Sequence, residues 1–205
     1  VGGYGLFGVV SSVTIRLMQR QKLQRVVELV RIDEVMRRFD QRIQDGYLFG
    51  DCQFAIDPAS DDFLQRGIFS CYRPIDPVTP IPDVQREIAE EQWLRLLYLA
   101  HAEKTKAFEV YAKEYRATDG QFYWSDTHQM SYYPDAYHRG IDAKLGAVAS
   151  GSEMISEMYV PRAELAAFFE DMREDFRRHG VEVIYGTIRL IEQDDETFLA
   201  WAKQP

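Results

Sequence analysis

Residues 23–46, LQRVVELVRIDEVMRRFDQRIQDG, change from one sequence pattern to another, and this change decides the fold class. The first ten residues, 23–32, are rich in β-branched and other apolar side chains, which predicts a strand. From Asp33 onward the apolar residues have helical spacing, and Gly46 ends the pattern. The apolar positions on that helical face are Val35, Met36, Phe39 and Ile43. The stretch therefore predicts a strand followed directly by an amphipathic helix.

The rest of the chain continues with alternating strand and helix patterns. The other predicted strands are 9–18, 47–56, 67–73, 153–160 and 181–191. The predicted helices are 84–115 in two pieces, 135–146, 161–180 with Pro161 at its first position, and a short one after Asp194-Asp195. This order contains the β-α-β-β and β-α-β units of a ferredoxin-like α+β domain. We expect an antiparallel sheet with helices packed on one face, so that the other face is left for function.

Composition excludes several classes of partner. The chain has 33 acidic and 24 basic residues, a net charge of −9, which argues against nucleic acids and anionic membranes. No apolar run approaches the ~20 residues of a membrane span. Cys52 and Cys71 are expected to be reduced core cysteines of a cytoplasmic protein. The four histidines have no metal-ligand spacing, so no metal site is expected.

Alternation along three predicted strands divides their side chains into two sets. One set is apolar and includes Cys52, Met158 and Ile188. The other set contains Asp51, Gln53, Glu157, Tyr159, Tyr185, Thr187 and Arg189. This second face is either a solvated sheet surface, with an ordinary ion pair between Glu157 and Arg189, or a surface that faces a substrate.

An aromatic and polar segment offers further candidates for substrate binding. Residues 121–129, QFYWSDTHQ, combine apolar walls with hydrogen-bonding groups, as small-molecule pockets do. Trp124 and His128 are the candidate contacts. His128 stands two residues after Asp126, which is compatible either with a general base and its orienting carboxylate or with a structural histidine.

Glycines cluster in residues 1–10, VGGYGLFGVV. Residues 3–8 fit the dinucleotide pattern G-x-G-x-x-G, but that motif requires a helix afterwards, whereas residues 9–18 predict a strand. The remaining interpretations are glycines that only turn the chain, and a glycine loop that approaches a cofactor without a helix behind it. We expect that a segment precedes this cluster in a longer protein.

The glycine segment and the following strand, which ends in Arg16-Leu17, resemble the end of the flavin domain in FAD-linked oxidases of the vanillyl-alcohol-oxidase-like, or PCMH, type. Residues 188–199, IRLIEQDDETFL, are similar to a strand and turn of the sugar-lactone and alditol oxidase branch. Residues 157–161, EMYVP, are similar to another stretch of that branch with an offset. Members of that branch that oxidise alditols carry a Glu two residues before the Arg of this strand. Thr187 occupies that position here, so the resemblance does not identify the substrate.

The resemblance implies a division of roles. Residues 1–18 would be the tail of an FAD-binding domain, and residues 19–205 a substrate-binding domain whose partner domain lies upstream in the same chain. Arg189 and Glu157 would be catalytic, with Arg189 facing the flavin ring and the substrate oxygen. The glycines lining FAD would be Gly2, Gly3, Gly5 and Gly8. The substrate-binding residues would be Gln53, Trp124, His128, Tyr159, Tyr185 and Thr187.

The function expected from this resemblance is oxidation of a C–OH group in a small polar molecule, of the sugar, lactone or hydroxy-acid type, by an FAD-dependent oxidoreductase. The alternative is a non-catalytic α+β module that uses its polar sheet face to bind a ligand or a partner. A third interpretation is an enzyme that acts without a partner domain through His128.

Overall fold

The computed structural model describes residues 6–127, 137–149, 151, 153–200 and 202–203. The strands are β1 (Lys22–Arg31), β2 (Phe49–Phe54), β3 (Arg66–Pro74), β4 (Phe122–Trp124) and β5 (Thr187–Ile188). The helices are α1 (Val35–Gln44), α2 (Glu90–Ala102), α3 (Lys104–Arg116), α4 (Tyr137–Leu145) and α5 (Leu165–His179). Short 3-10 turns, Ile32–Glu34 and Arg162–Glu164, precede α1 and α5.

The five strands form one sheet in the order β4-β1-β3-β2-β5, and every pair of neighbours is antiparallel. The order of the first four strands is that of a split β-α-β-β-α-β unit, with β5 added outside β2. An α+β fold built on an antiparallel sheet is therefore confirmed.

The change of pattern at Asp33 produces the predicted strand-to-helix junction. Gly46 ends α1 with a φ of +81°, a conformation that glycine adopts without steric cost. The backbone amide of Tyr47 then donates to the carbonyl of Arg42 at 2.9 Å, which closes the helix end and starts the chain toward β2.

One face of the sheet is an apolar core covered by α1 and α5. Its buried residues include Val30, Phe69 and Cys52 from the strands and Phe39 and Phe169 from the helices. The rings of Phe39 and Phe69 meet edge to face with centroids 4.8 Å apart. Full burial of such side chains stabilises the fold by roughly 1.5–3 kcal/mol each. Leu165, Phe169 and Met172 of α5 are all buried in this core.

The opposite face is covered in part by α3, which differs from the expected arrangement with helices on one face only. Val27 and Ile68, on that face of β1 and β3, pack against Ala112 and Tyr115 of α3. The reason lies in β1 and β3, which carry apolar residues at both sets of alternating positions and need cover on both sides. At the β5 edge Tyr185 and Arg189 stay exposed.

Two predicted strands at the sheet's periphery and one predicted helix were wrong, and a further predicted strand formed only in part. Residues 9–18 and 153–160 contain no strand, and 181–191 form only the two-residue β5. A β-pattern becomes a strand only when a ladder partner accepts it, and the described part of the chain pairs neither of the first two segments. The backbone amide of Glu196 donates to the Asp194 carboxylate at 3.1 Å, so a turn replaces the predicted short helix.

The backbones of β2 and β3 approach each other closely on the apolar face. A Cβ on Gly67 would lie 2.5 Å from Cys52 Sγ and 2.9 Å from the Gln53 carbonyl oxygen, so only glycine fits there.

Cys52 and Cys71 are free and buried, as predicted for reduced core cysteines. Burial raises the pKa of both thiols, to about 12 for Cys71, so both stay protonated and unreactive.

Among the residues that the structure describes, none of the helices has the length and apolar character that crossing a bilayer requires.

Candidate functional site

Polar side chains from five elements, namely β1, β2, β3, α3 and the β5 segment, meet on the α3-covered face of the sheet. We call them the polar cluster, and its members are Arg25, Asp51, Gln53, Tyr72, Tyr111, Tyr115, Thr187 and Arg189. The register explains their meeting, because Arg25 lies opposite Tyr72 and Gln53 lies opposite Thr187 on neighbouring strands. Directly paired side chains on one face of an antiparallel pair come within about 5 Å.

Arg25 forms the closed end of the cluster and is 0% exposed. Its Nε donates to the Tyr72 hydroxyl at 2.8 Å, and its Nη1 donates to Thr118 Oγ1 at 2.9 Å. The guanidinium also lies 4.8 Å from the ring centroid of Tyr123 and 5.3 Å from that of Tyr115. Aromatic faces and hydroxyl acceptors thus compensate a buried charge, which otherwise costs several kcal/mol.

Asp51 occupies the middle of the cluster on β2. Its Oδ2 accepts a hydrogen bond from Gln53 Nε2. Burial raises the pKa of Asp51 to about 6, although the charges of Arg25 and Arg189 oppose the rise. The carboxyl group therefore changes charge close to neutral pH, which is unusual for an aspartate.

Three polar atoms on the sheet face around Asp51 have no hydrogen-bond partner among the described residues. They are Gln53 Oε1, Thr187 Oγ1 and Ser70 Oγ, which belongs to the residue opposite Asp51 on β3. Gln53 is almost fully buried, and an unpaired buried polar atom costs about 1–3 kcal/mol. Such atoms are uncommon in folded proteins, and a bound ligand or ordered water can supply the missing partner.

Arg189 and Tyr185 form the open rim of the cluster. Arg189 occupies the position opposite Asp51 when the β2–β5 register is continued by one residue beyond the pair of Cys52 and Ile188. Its guanidinium is exposed, and Tyr185 is 56% exposed. The cluster is therefore graded from a buried cation, through a carboxyl with a raised pKa, to an exposed cation that a ligand can reach.

Tyrosines line the cluster from α3 and β3. Burial raises the pKa values of Tyr72, Tyr111 and Tyr115, so all three hydroxyls are protonated at neutral pH. The rings of Tyr111 and Tyr115 lie 4.3 Å apart on successive turns of α3. These side chains supply apolar walls with hydroxyl groups, the combination found in small-molecule sites.

The structure brings together four of the predicted site residues, Gln53, Tyr185, Thr187 and Arg189, and places three others elsewhere. Trp124 of β4 pairs with Lys22 of β1, so it lies on the opposite sheet face from Arg25. The Arg20 guanidinium lies 4.2 Å from the centroid of the Trp124 ring. Glu157 accepts a hydrogen bond from the Tyr159 hydroxyl at 2.9 Å in an exposed segment without strand pairing. The predicted joint face of Glu157, Tyr159 and Arg189 was wrong, because residues 153–160 do not enter the sheet.

The remaining predicted residues belong to the glycine and aromatic segments. Gly2, Gly3, Gly5 and His128 lie outside the described residues. Gly8 is exposed, and a Cβ at that position would have no neighbour within 4 Å. The apolar side chains that follow it, such as Val9, Val13 and Leu17, are at least 70% exposed.

Sequence reasoning missed Arg25, Tyr111 and Tyr115, and it named Asp51 as part of the face but not of the site. Arg25 gave a signal, since it stands in the apolar set formed by Leu23, Val27 and Leu29. A charge at such a position indicates a buried polar partner on the same face. The α3 tyrosines gave no comparable signal because helical spacing alone does not show which face of the sheet a helix covers.

A separate shallow groove lies between the outer side of α3 and the β1–β3 surface. It contains none of the predicted site residues. Its lining is mixed in charge, and Arg66 there is paired with Asp62 at 3.1 Å. The lining residues are Leu29, Arg66, Phe108, Glu109, Ala112, Lys113, Arg116 and Ala117.

No protein-family model matches this chain, and no curated protein is significantly similar to it in sequence.

Proposed function

We propose that this chain is the substrate-binding part of an FAD-dependent oxidoreductase that oxidises a C–OH group of a small polar molecule. The observation that carries the proposal is the polar cluster. Its buried atoms Gln53 Oε1 and Thr187 Oγ1 lack hydrogen-bond partners among the described residues, and they share a sheet face with the Asp51 carboxyl and the exposed Arg189. Ligand hydroxyl groups are the chemical complement of such a surface.

The flavin is implied by the resemblance of residues 1–18 and 188–199, and the side chains present at the cluster fit it. Arg189 and Thr187 offer a guanidinium and an unpaired hydroxyl on one sheet face, which are donors for the oxygen and nitrogen atoms of a flavin ring edge. When bound, FAD supplies a two-electron acceptor for hydride.

The chain's own residues would perform three tasks in this reaction. Arg189 would stabilise negative charge that develops at the reacting centre, because a fixed cation lowers the energy of a transition state that gains charge. Gln53 and Thr187 would orient the substrate hydroxyl groups by hydrogen bonds. The tyrosines of α3 would exclude water from the inner side of the cluster and strengthen these electrostatic interactions.

The rival function is a non-catalytic module that binds a polar ligand at the same cluster. It predicts the same binding surface without a coloured cofactor.

A cytoplasmic location belongs to the proposal, and the reduced state of Cys52 and Cys71 supports it.

The test uses the protein purified from its complete reading frame. Flavin absorption that co-elutes with the protein, and that bleaches anaerobically with a member of a panel containing xylitol, D-glucono-1,5-lactone and glycolate, supports the proposal. The Arg189→Ala variant should bleach at least about 100-fold more slowly, since removal of one transition-state donor costs that much. Arg178→Ala, at an exposed position of α5, is the matched control and should keep the parent rate. A colourless protein that binds a panel compound supports the rival.

A further inference from the structure

We infer that Asp51 is the proton acceptor of this site and takes the hydroxyl proton of the substrate as its C–OH group is oxidised. This inference rests on the function proposed above and assigns a role that neither the sequence resemblance nor the glycine segment suggests. Four features support it: the position of Asp51, the orientation of its carboxylate, its charge environment and the chemistry of the step.

Asp51 is positioned where a ligand on the sheet face would meet it. Gln53 follows it on the same face of β2, and Arg189, just beyond β5, lies at the register position across from it. Gln53 Oε1 and Thr187 Oγ1, which have no hydrogen-bond partner among the described residues, lie on the same sheet face as the carboxylate. A polyhydroxylated ligand that satisfies these two atoms therefore places a hydroxyl group next to Asp51.

Gln53 fixes the carboxylate's orientation. Its Nε2 donates to Asp51 Oδ2, which holds the group in one rotamer at the centre of the face. A proton acceptor must be held within hydrogen-bond reach of the proton that it receives, and a neutral amide donor does this without adding a charge. By contrast Asp126, the carboxylate first considered as a catalytic partner, is paired with Arg20 at 2.7 Å on the far edge of the sheet.

The charges around Asp51 suit it for proton transfer near neutral pH. Burial raises its pKa to about 6, and the two arginines limit that rise. A general base is most effective when its pKa lies close to the working pH, because it is then ionised yet still a competent acceptor. The titratable and charged groups near it are Arg25 on β1, Tyr72 on β3, Arg189 beyond β5, Tyr185 before β5, Tyr111 and Tyr115 on α3, and the thiols of Cys52 and Cys71.

The step balances with the flavin as the named oxidant. The substrate's C–H bond would break, and FAD, when bound, would supply the acceptor for its hydride and two electrons. The O–H bond breaks and its proton passes to the Asp51 carboxylate. The electron pair of the O–H bond forms the second bond of the C=O product. Asp51 then returns the proton to solvent past the exposed rim at Tyr185 and Arg189.

The experiment measures anaerobic flavin bleaching between pH 5 and pH 9 in the complete protein, using whichever of xylitol, D-glucono-1,5-lactone or glycolate reduces the parent. The parent rate should fall about tenfold per pH unit below an inflection near pH 6. Asp51→Asn should lose at least about 100-fold at pH 8 and lose the inflection, since general-base catalysis contributes about 10²–10⁴-fold. Asp171→Asn, at an exposed position of α5, is the control and should retain both.

A second variant separates a chemical role from a structural one. Gln53→Met removes the hydrogen bond that lowers the pKa of Asp51, so it should move the inflection to higher pH whatever it does to the maximal rate.

The pH dependence of unfolding in the parent and Asp51→Asn gives a readout independent of activity, and only the parent should lose stability as pH rises through 6.

The outcomes are distinguishable. An Asp51→Asn protein that holds flavin, unfolds cooperatively and keeps the parent rate and inflection would overturn the role of Asp51 while leaving the oxidoreductase proposal intact. An unmoved inflection in Gln53→Met would overturn it also. If the parent carries no flavin, or no compound bleaches it, the oxidoreductase proposal fails and the role of Asp51 falls with it.

Discussion

The two faces of the central sheet are made by alternate residues of the same strands, yet they differ in kind. On the α1–α5 face, Cys52, Phe69 and Ile188 enter a continuous apolar core. On the α3 face, their neighbours along the chain, Asp51, Gln53, Ser70 and Thr187, are polar. Apolar burial stabilises the fold, whereas buried polar groups lower its stability unless they are paired. At these positions the α1–α5 face stabilises the fold, whereas the α3 face combines the apolar contacts of Val27 and Ile68 with buried polar groups that carry a cost.

The largest effect on stability should come from the apolar face of β3. Phe69→Ala removes a ring that is 1% exposed and packed on Phe39, so we expect a loss of about 3–5 kcal/mol. Ser70→Ala, the next residue on the opposite face, should change the free energy of unfolding by less than about 1 kcal/mol. Urea denaturation of both variants makes the comparison. Equal losses would mean that the two faces contribute alike.

Asp51 should make the stability of the protein depend on pH. Its folded-state pKa of about 6 lies above the ordinary value, so the unfolded chain releases this proton at lower pH than the folded chain does. Stability from this group is therefore full below about pH 4 and is lost as pH rises to about 6, by roughly 2–3 kcal/mol. Asp51→Asn should abolish this loss and be the more stable protein at pH 8. Chemical denaturation across pH 4–8 measures it, with Asp171→Asn as the unaffected control.

The close packing of β2 on β3 should tolerate no added methyl group. In Gly67→Ala the new Cβ meets the Gln53 carbonyl oxygen at 2.9 Å, and the backbone cannot move aside as a flexible side chain would. We expect a loss of about 1–3 kcal/mol in thermal or urea unfolding. Gly140→Ala, in exposed helix α4 with no neighbour within 4 Å, should instead stabilise by about 0.5–1 kcal/mol. An unchanged free energy of unfolding in Gly67→Ala would show that β2 and β3 are farther apart than the 2.9 Å approach to the Gln53 carbonyl oxygen implies.

The smallest effects should come from two neighbours on β5. Thr187→Val replaces an unpaired hydroxyl by a methyl group of similar size, so stability should be unchanged or higher by up to about 1 kcal/mol. Ile188→Val removes a buried methylene from the apolar core and should cost about 0.5–1.5 kcal/mol. Differential scanning calorimetry of the pair would show effects of opposite sign, and a larger loss for Thr187→Val would refute the unpaired state of its hydroxyl.

The sequence alone predicted local features well and long-range ones poorly. The strand-to-helix junction at Asp33 follows from spacing within one turn of chain, and the division of β2 and β5 into two faces follows from simple alternation. That alternation correctly grouped Gln53, Thr187 and Arg189. Residues 153–160 have the same alternation, but a strand also needs a partner, which a pattern cannot supply.

The components of the polar cluster illustrate the same limit. The burial of Arg25 depends on contacts that are distant in sequence, among them Tyr115 and Thr118, some ninety residues away on α3 and the turn after it. The pKa of Asp51 depends on the same long-range packing. Neither property is encoded in neighbouring residues, so the buried cation and the raised pKa of Asp51 were recognised only in the folded structure.

The most direct test of the division between the two faces is the anaerobic rate of flavin bleaching in complete proteins that carry Thr187→Val or Ile188→Val. These residues are adjacent on one strand, and each variant changes its side chain by little. If the α3 face binds substrate, Thr187→Val should slow bleaching at least about tenfold with undiminished stability, whereas Ile188→Val should keep the parent rate. Equal rates in the two variants would contradict the account.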